Sequence, residues 1–193
     1  MFFHLSQCMW RKVQELNLIA TYRDDENVRI YVKMILALSF VPVADVPTTF
    51  DDLVDRCPLA LASLLDYWED TYIGRQRRGR RANPRFSLQI WNVHDRVVVN
   101  LPRTNNSVEA WHRSFQQTVD GDHPSVYKLV KHFIQEQDHY ELKMERYRAG
   151  FRHPEASKSK YIRLNRRLQA LVATYGTVPS DDYLRGIAHN IDI

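Results

Sequence analysis

A chain of 193 residues with 44% apolar and 11% aromatic side chains can bury a core and is no disordered tail, and its 6 Gly and 8 Pro among Leu-, Glu-, Gln-, Lys- and Arg-rich stretches favour helices over a sandwich or barrel. A formal charge of +4 suits polyanions without requiring them, and the two cysteines, Cys8 and Cys57, are too few for a disulfide framework or a Cys-rich zinc module, which leaves reduced intracellular thiols. No apolar run is long enough to span a bilayer, and MFFHLSQCMWRK has neither a basic leader nor a small-residue cleavage site, so a soluble intracellular protein with no membrane partner is expected.

In chain order, Phe2, Phe3 and Leu5 read as the buried end of a strand that something upstream would pair with. From Leu5 through Ala20 the apolar residues Leu5, Cys8, Met9, Val13, Leu16 and Ile19 recur at helical spacing. A second helix is capped by Asp24 or Asp25, carries Val28, Tyr31, Val32, Ile35 and Leu36 as its stripe, and stops at Pro42. A third runs from about Pro47 to Arg56, and a fourth opens at Pro58, presents Leu61, Leu64, Leu65, Trp68 and Tyr72, and ends near Gly74. Short helices in such close succession predict a compact helical subdomain.

The segment RQRRGRRANPR offers no apolar positions and reads as an exposed loop. After it, PRFSLQIW and RVVVNL are rich in Phe, Ile and Val and separated by the turn-like NVHD, which predicts two short strands. Helical spacing returns at Ser107 with Val108, Trp111, His112 and Phe115. A long helix follows from about Ser125 to Arg148, with Val126, Leu129, Val130, Phe133, Ile134, Tyr140, Met144 and Tyr147 inside, and two more lie near Lys158 to Tyr175 and Ser180 to His189. Trp10, Trp68, Trp91 and Trp111 sit within apolar patterns and read as core residues rather than base-stacking platforms.

The most specific feature is RTNNSVEAWHRSFQ, which places Glu109 at a helix start directly after a strand-like segment. As local chemistry it is a capping box, with Glu109 three residues past Asn106. It also resembles the pattern around the third catalytic carboxylate of Mutator-like (MULE) transposases, a branch of the RNase H-like DDE superfamily. In this likeness Asn105 and Asn106 precede Glu109, and His112 follows Trp111. MFFHLSQCMWRKVQELNL is similar to the family's Cys-x-x-His segment, with His4 at the histidine and Met1 where the cysteine would stand. YVKMILALSFVPVADVPTTFDDL and LDYWEDTYIG resemble the helical insertion before the last carboxylate.

The resemblance implies DNA strand cleavage and transfer by two divalent metals, Mg or Mn, held by three carboxylates. It places both aspartates upstream of the segment with which this sequence opens, so Glu109 alone of the metal-binding acids is expected, and no cofactor or catalysis of the chain's own. Asp95, Asp120 and Asp122 stand in turn-like contexts where Asp bonds local backbone, and His4 with Cys8 reads as core packing rather than a zinc pair. Arg75, Arg77, Arg78, Arg80, Arg81 and Arg85 form the densest charge cluster and read equally as phosphate contacts on DNA or as a solvated, nuclear-localisation-like patch.

The expected architecture is mainly α with an α+β remnant. Residues 1–22 correspond to the RNase H-like core, 23–82 to the helical insertion, 83–150 to short strands and the Glu109 helix, and 151–193 to a helical extension. The functional expectation is a truncated or domesticated transposase fragment with non-specific DNA binding, nuclear or cytoplasmic. The alternatives are a helical protein-interaction module self-associating through its apolar N-terminal edge, or an incomplete piece of an active DDE transposase.

Overall fold

The computed structural model describes residues 2–101, 103, 106–119, 124–151 and 159–193, the side chains of 106, 107, 159 and 160 excepted. The described chain is mainly helical, with one two-stranded antiparallel sheet. It separates into two compact units, Met1–Thr104 together with Ser159–Ile193, and Asn105–Lys158.

In the first unit, the strand expected at Phe2, Phe3 and Leu5 is instead the opening turn of helix α1 (Phe2–Glu15). Phe2, Leu5, Met9 and Val13 are buried while Phe3 is exposed. Only helical spacing puts those four on one side, since a strand would pair Phe3 with Leu5. Of the edge on which self-association was expected, Phe2 and Leu5 pack in the unit's own core and Phe3 faces outward. Asn17, in the left-handed region at φ 57°, ends α1, and Ile19 opens a separate helix, α2 (Ile19–Asp24).

Helix α3 (Glu26–Ala37) is the centre of this unit. The Asp25 carboxylate caps it, accepting from the backbone N–H groups of Asn27 at 2.8 Å and Val28 at 3.2 Å. Ile30, Tyr31, Val32, Met34, Ile35, Leu36 and Ala37 are all buried, as befits a helix covered on nearly every side. A 3-10 turn at Leu38–Phe40 leads to α4 (Val46–Val54), which buries Phe50 and Leu53. Helix α5 (Ala62–Trp68) follows and buries Leu64, Leu65 and Trp68, then passes into a π turn at Glu69–Ile73.

PRFSLQIW and RVVVNL, expected as strands, form the short helices α6 (Leu88–Trp91) and α7 (His94–Val98). Val93 and Val97, one turn apart, are buried, whereas Val98 and Val99 are exposed, so the burial period is helical. Asn92 sets the start of α7: its side-chain oxygen accepts from the His94 N–H at 2.9 Å, and its amide donates to the Val41 carbonyl at 2.7 Å. Strand preference expresses fit to a neighbouring strand, and among the described residues none lies alongside.

Two C-terminal helices complete the first unit, α10 (Ser159–Val172) and α11 (Ser180–Ala188). Tyr183, Leu184 and Ile187 of α11 are buried, and α11 packs along α3. The Tyr183 hydroxyl donates to the Phe40 carbonyl at 2.6 Å.

The second unit contains α8 (Asn106–Val119) and α9 (Val126–Arg148), with Ser125 capping α9 by accepting from the Lys128 N–H at 3.3 Å. The apolar residues of α9 expected inside are not buried: Leu129 is half-buried, and Val126, Val130, Phe133, Ile134, Tyr140, Met144 and Tyr147 are exposed. The reason is geometric, because α8 covers one stripe of α9, through Phe115 on Phe133 and Trp111 on Glu136.

Candidate nucleic-acid interface

RQRRGRRANPR, expected as a loop, holds the one sheet among the described residues. Strand β1 (Gln76–Arg77) pairs with β2 (Arg80–Arg81), setting Gln76 opposite Arg81 and Arg77 opposite Arg80. The turn residues Arg78 and Gly79 have φ of 48° and 78°, the two-residue mirror-image turn whose twist matches its strands. Glycine meets this at no cost, whereas Arg78 stores strain of order 1 kcal/mol. At the base, Gly74 has φ 92° and a Cβ there would sit 1.9 Å from the Ala82 carbonyl oxygen, so only glycine fits. The Ala82 N–H donates to the Arg75 carbonyl at 2.9 Å and closes the base.

The arginines divide by what they touch. Arg81 is half-buried, donates to Glu69 at 3.0 Å and to the Gly74 carbonyl at 2.6 Å, pairs with Asp51, and lies over the Phe50 ring. Arg75 pairs with Asp70 and, at 3.7 Å, with Asp66, and its hydrogen bond to Asp70 raises its pKa further above the usual arginine value. These two fasten the hairpin to acids outside it, a role no local pattern announces. Arg77, Arg78 and Arg80 are exposed and form no ion pair among the described residues. Arg85 is exposed over the Phe86 ring at 5.6 Å.

Glu109 lies in the first turn of α8 and is half-buried, where the positive end of the helix favours a carboxylate. The Trp111 indole N–H donates to Glu136 at 2.8 Å, and its ring stacks on Phe115, so Trp111 is a packing residue of the α8–α9 pair. His112 is exposed beside the Trp111 ring at 5.1 Å. Asn106 opens α8, but its side chain, like Asn105, Asp120 and Asp122, lies outside the described residues. Asp95, in the first turn of α7, holds its carboxylate 2.8 Å from His94 Nδ1. His4, expected to pack in the core with Cys8, is exposed on α1 with its ring against Phe3 at 5.6 Å, and Cys8 is half-buried.

Arg103, the first residue of the motif, was not singled out by sequence. It lies over the Phe2 and Phe40 rings at 6.0 and 5.9 Å and donates to the Asn165 side chain at 2.9 Å. Burial lowers its pKa, but an arginine stays charged at neutral pH, and the flat guanidinium is held by stacking. Among the described residues no three His, Cys, Asp or Glu side chains gather in a way that could hold a metal ion.

The chain matches no family model, no curated protein and no solved structure. The tip of the hairpin gathers three exposed guanidinium groups of like charge. Directly opposed like charges destabilise a strand pair, so Arg77 facing Arg80 leaves an electrostatic cost that a bound phosphate would relieve. Each guanidinium offers a planar fork of donors matched to phosphate oxygens.

Proposed function

We propose that this chain derives from a MULE transposase and binds the DNA backbone through the arginine hairpin, without carrying out strand transfer by itself. The observation that carries the DNA-binding reading is the tip of the hairpin, where Arg77, Arg78 and Arg80 are exposed without an ion pair among the described residues while Arg75 and Arg81 hold the base. The motif RTNNSVEAWHRSF supports the transposase descent, with Glu109 in the first turn of a helix. Strand transfer is left out because a two-metal site needs several converging carboxylates and the motif supplies one. Contact through phosphates implies little sequence preference.

Fluorescence anisotropy on a short duplex tests this at several salt concentrations. Arg77→Ala, Arg78→Ala and Arg80→Ala combined is expected to weaken binding by about two orders of magnitude near 0.15 M salt and to flatten the log–log salt dependence by about three units of slope, roughly one for each phosphate no longer neutralised. Unchanged affinity and slope sink the DNA reading. Nicking or joining of DNA with Mg or Mn that disappears in Glu109→Gln would sink its non-catalytic half.

A further inference from the structure

The second compact unit carries more apolar surface than its own helices cover. Val119 is the one buried apolar side chain among its described residues, which is too little to hold a unit of this size together. Along α9, Val130, Phe133, Gln137, Tyr140, Met144 and Tyr147 succeed one another in alternating steps of three and four residues. That is the spacing of a coiled-coil seam, which keeps one face toward a partner helix over several turns. All six are exposed, Met144 at 52% and Tyr147 at 72%. Helix α8 reaches this seam at Phe133, through Phe115, and flanks it at Glu136, whose carboxylate accepts from the Trp111 indole N–H at 2.8 Å and keeps its charge.

We propose that α9 pairs with α9 of a second copy of this chain as an antiparallel two-helix coiled coil. The charges beside the seam choose both occupant and direction. With the twofold axis between Asp138 and His139, Val130 faces Tyr147 of the other copy, Phe133 faces Met144, and Gln137 faces Tyr140. In that register Glu136 meets Lys143 of the other copy, and symmetry repeats the pair. A parallel, in-register pair sets Glu136 against Glu141 and Lys143 against Arg148, like charge on like charge twice over. The helix is therefore complementary to itself reversed.

Size-exclusion chromatography with light scattering on the full chain is expected to give twice the 22.9 kDa chain mass at micromolar concentration. Met144→Glu should return it to a single chain with unchanged helical circular dichroism. Crosslinking settles direction: chains with Val130→Cys mixed with chains with Tyr147→Cys should oxidise to a dimer joined between those positions by peptide mass spectrometry, and Val130→Cys alone should not join to itself. A monomer at high micromolar concentration overturns the proposal, and so does a dimer indifferent to Met144→Glu and Val130→Glu. Efficient self-joining of Val130→Cys, which means parallel pairing, overturns it as well. So does a monomer in which Tyr147→Cys resists thiol reagents, because the cover then lies within the chain.

Discussion

The two compact units are both helical, yet they differ in what holds them. In the first, α3 is enclosed on nearly every side and Trp68, Tyr183, Phe40 and Phe50 are almost wholly buried. In the second, α9 is longer than any helix of the first and buries none of its side chains. Helix formation and core formation are thus separable: an apolar period suffices to make a helix amphipathic, but burial needs a neighbour of matching length on the apolar side.

The comparison breaks most sharply at Trp68. Trp68→Ala should cost about 3–5 kcal/mol in urea unfolding, by removing a wholly buried aromatic and leaving a cavity in its place. Trp68→Phe should cost clearly less, because the buried indole N–H has no hydrogen-bond partner among the described residues. Tyr183→Phe ranks next, at about 1–3 kcal/mol, since it leaves the buried Phe40 carbonyl without its donor. Asp25→Ala, which uncaps α3, should cost about 1 kcal/mol, read as a lower urea midpoint at unchanged slope. At the other end, Val126→Ser on α9 should stay within about 0.5 kcal/mol, as Val126 is 74% exposed. A Val126→Ser cost near that of Trp68→Ala would erase the distinction between the units.

The finest test is pH. Burial pushes the Cys57 thiol up to about 12 from an ordinary 9.0 and raises the Tyr183 and Tyr72 hydroxyls as well. A folded-state value above the unfolded one means that the neutral form is the one the core accepts. The associated stability is complete below the unfolded-state value and is lost as pH climbs, for Cys57 across the window from 9.0 to about 12. The Tm of the first unit should therefore fall above about pH 9, and Cys57→Ala should flatten the first part of that fall.

Most helices were legible because the chain repeats its apolar residues once per turn over stretches long enough to outweigh local noise, as Met9 and Val13 or Val28, Tyr31 and Ile35 do. The strands were misplaced for a chemical reason. Val97, Val98 and Val99 have strand-forming side chains but no strand to lie beside among the described residues, whereas Arg77 and Arg80 have a tight Arg78–Gly79 turn that brings them together despite a charge pattern that reads as loop. A glycine-containing two-residue turn was the available signal there. Asp51 and Glu69 as partners of Arg81 had none, being 30 and 12 residues away.

From its residue order alone this chain determined that it is mainly helical, that an aspartate at 24 or 25 opens its central helix, and that its arginines crowd into one short segment, because these are matters of local period, capping and composition. Tertiary structure decided which arginines are tied to acids and which are offered outward, and which apolar stripes find cover. Those outcomes depend on what distant segments bring alongside, and a side chain's own identity carries no record of its neighbours.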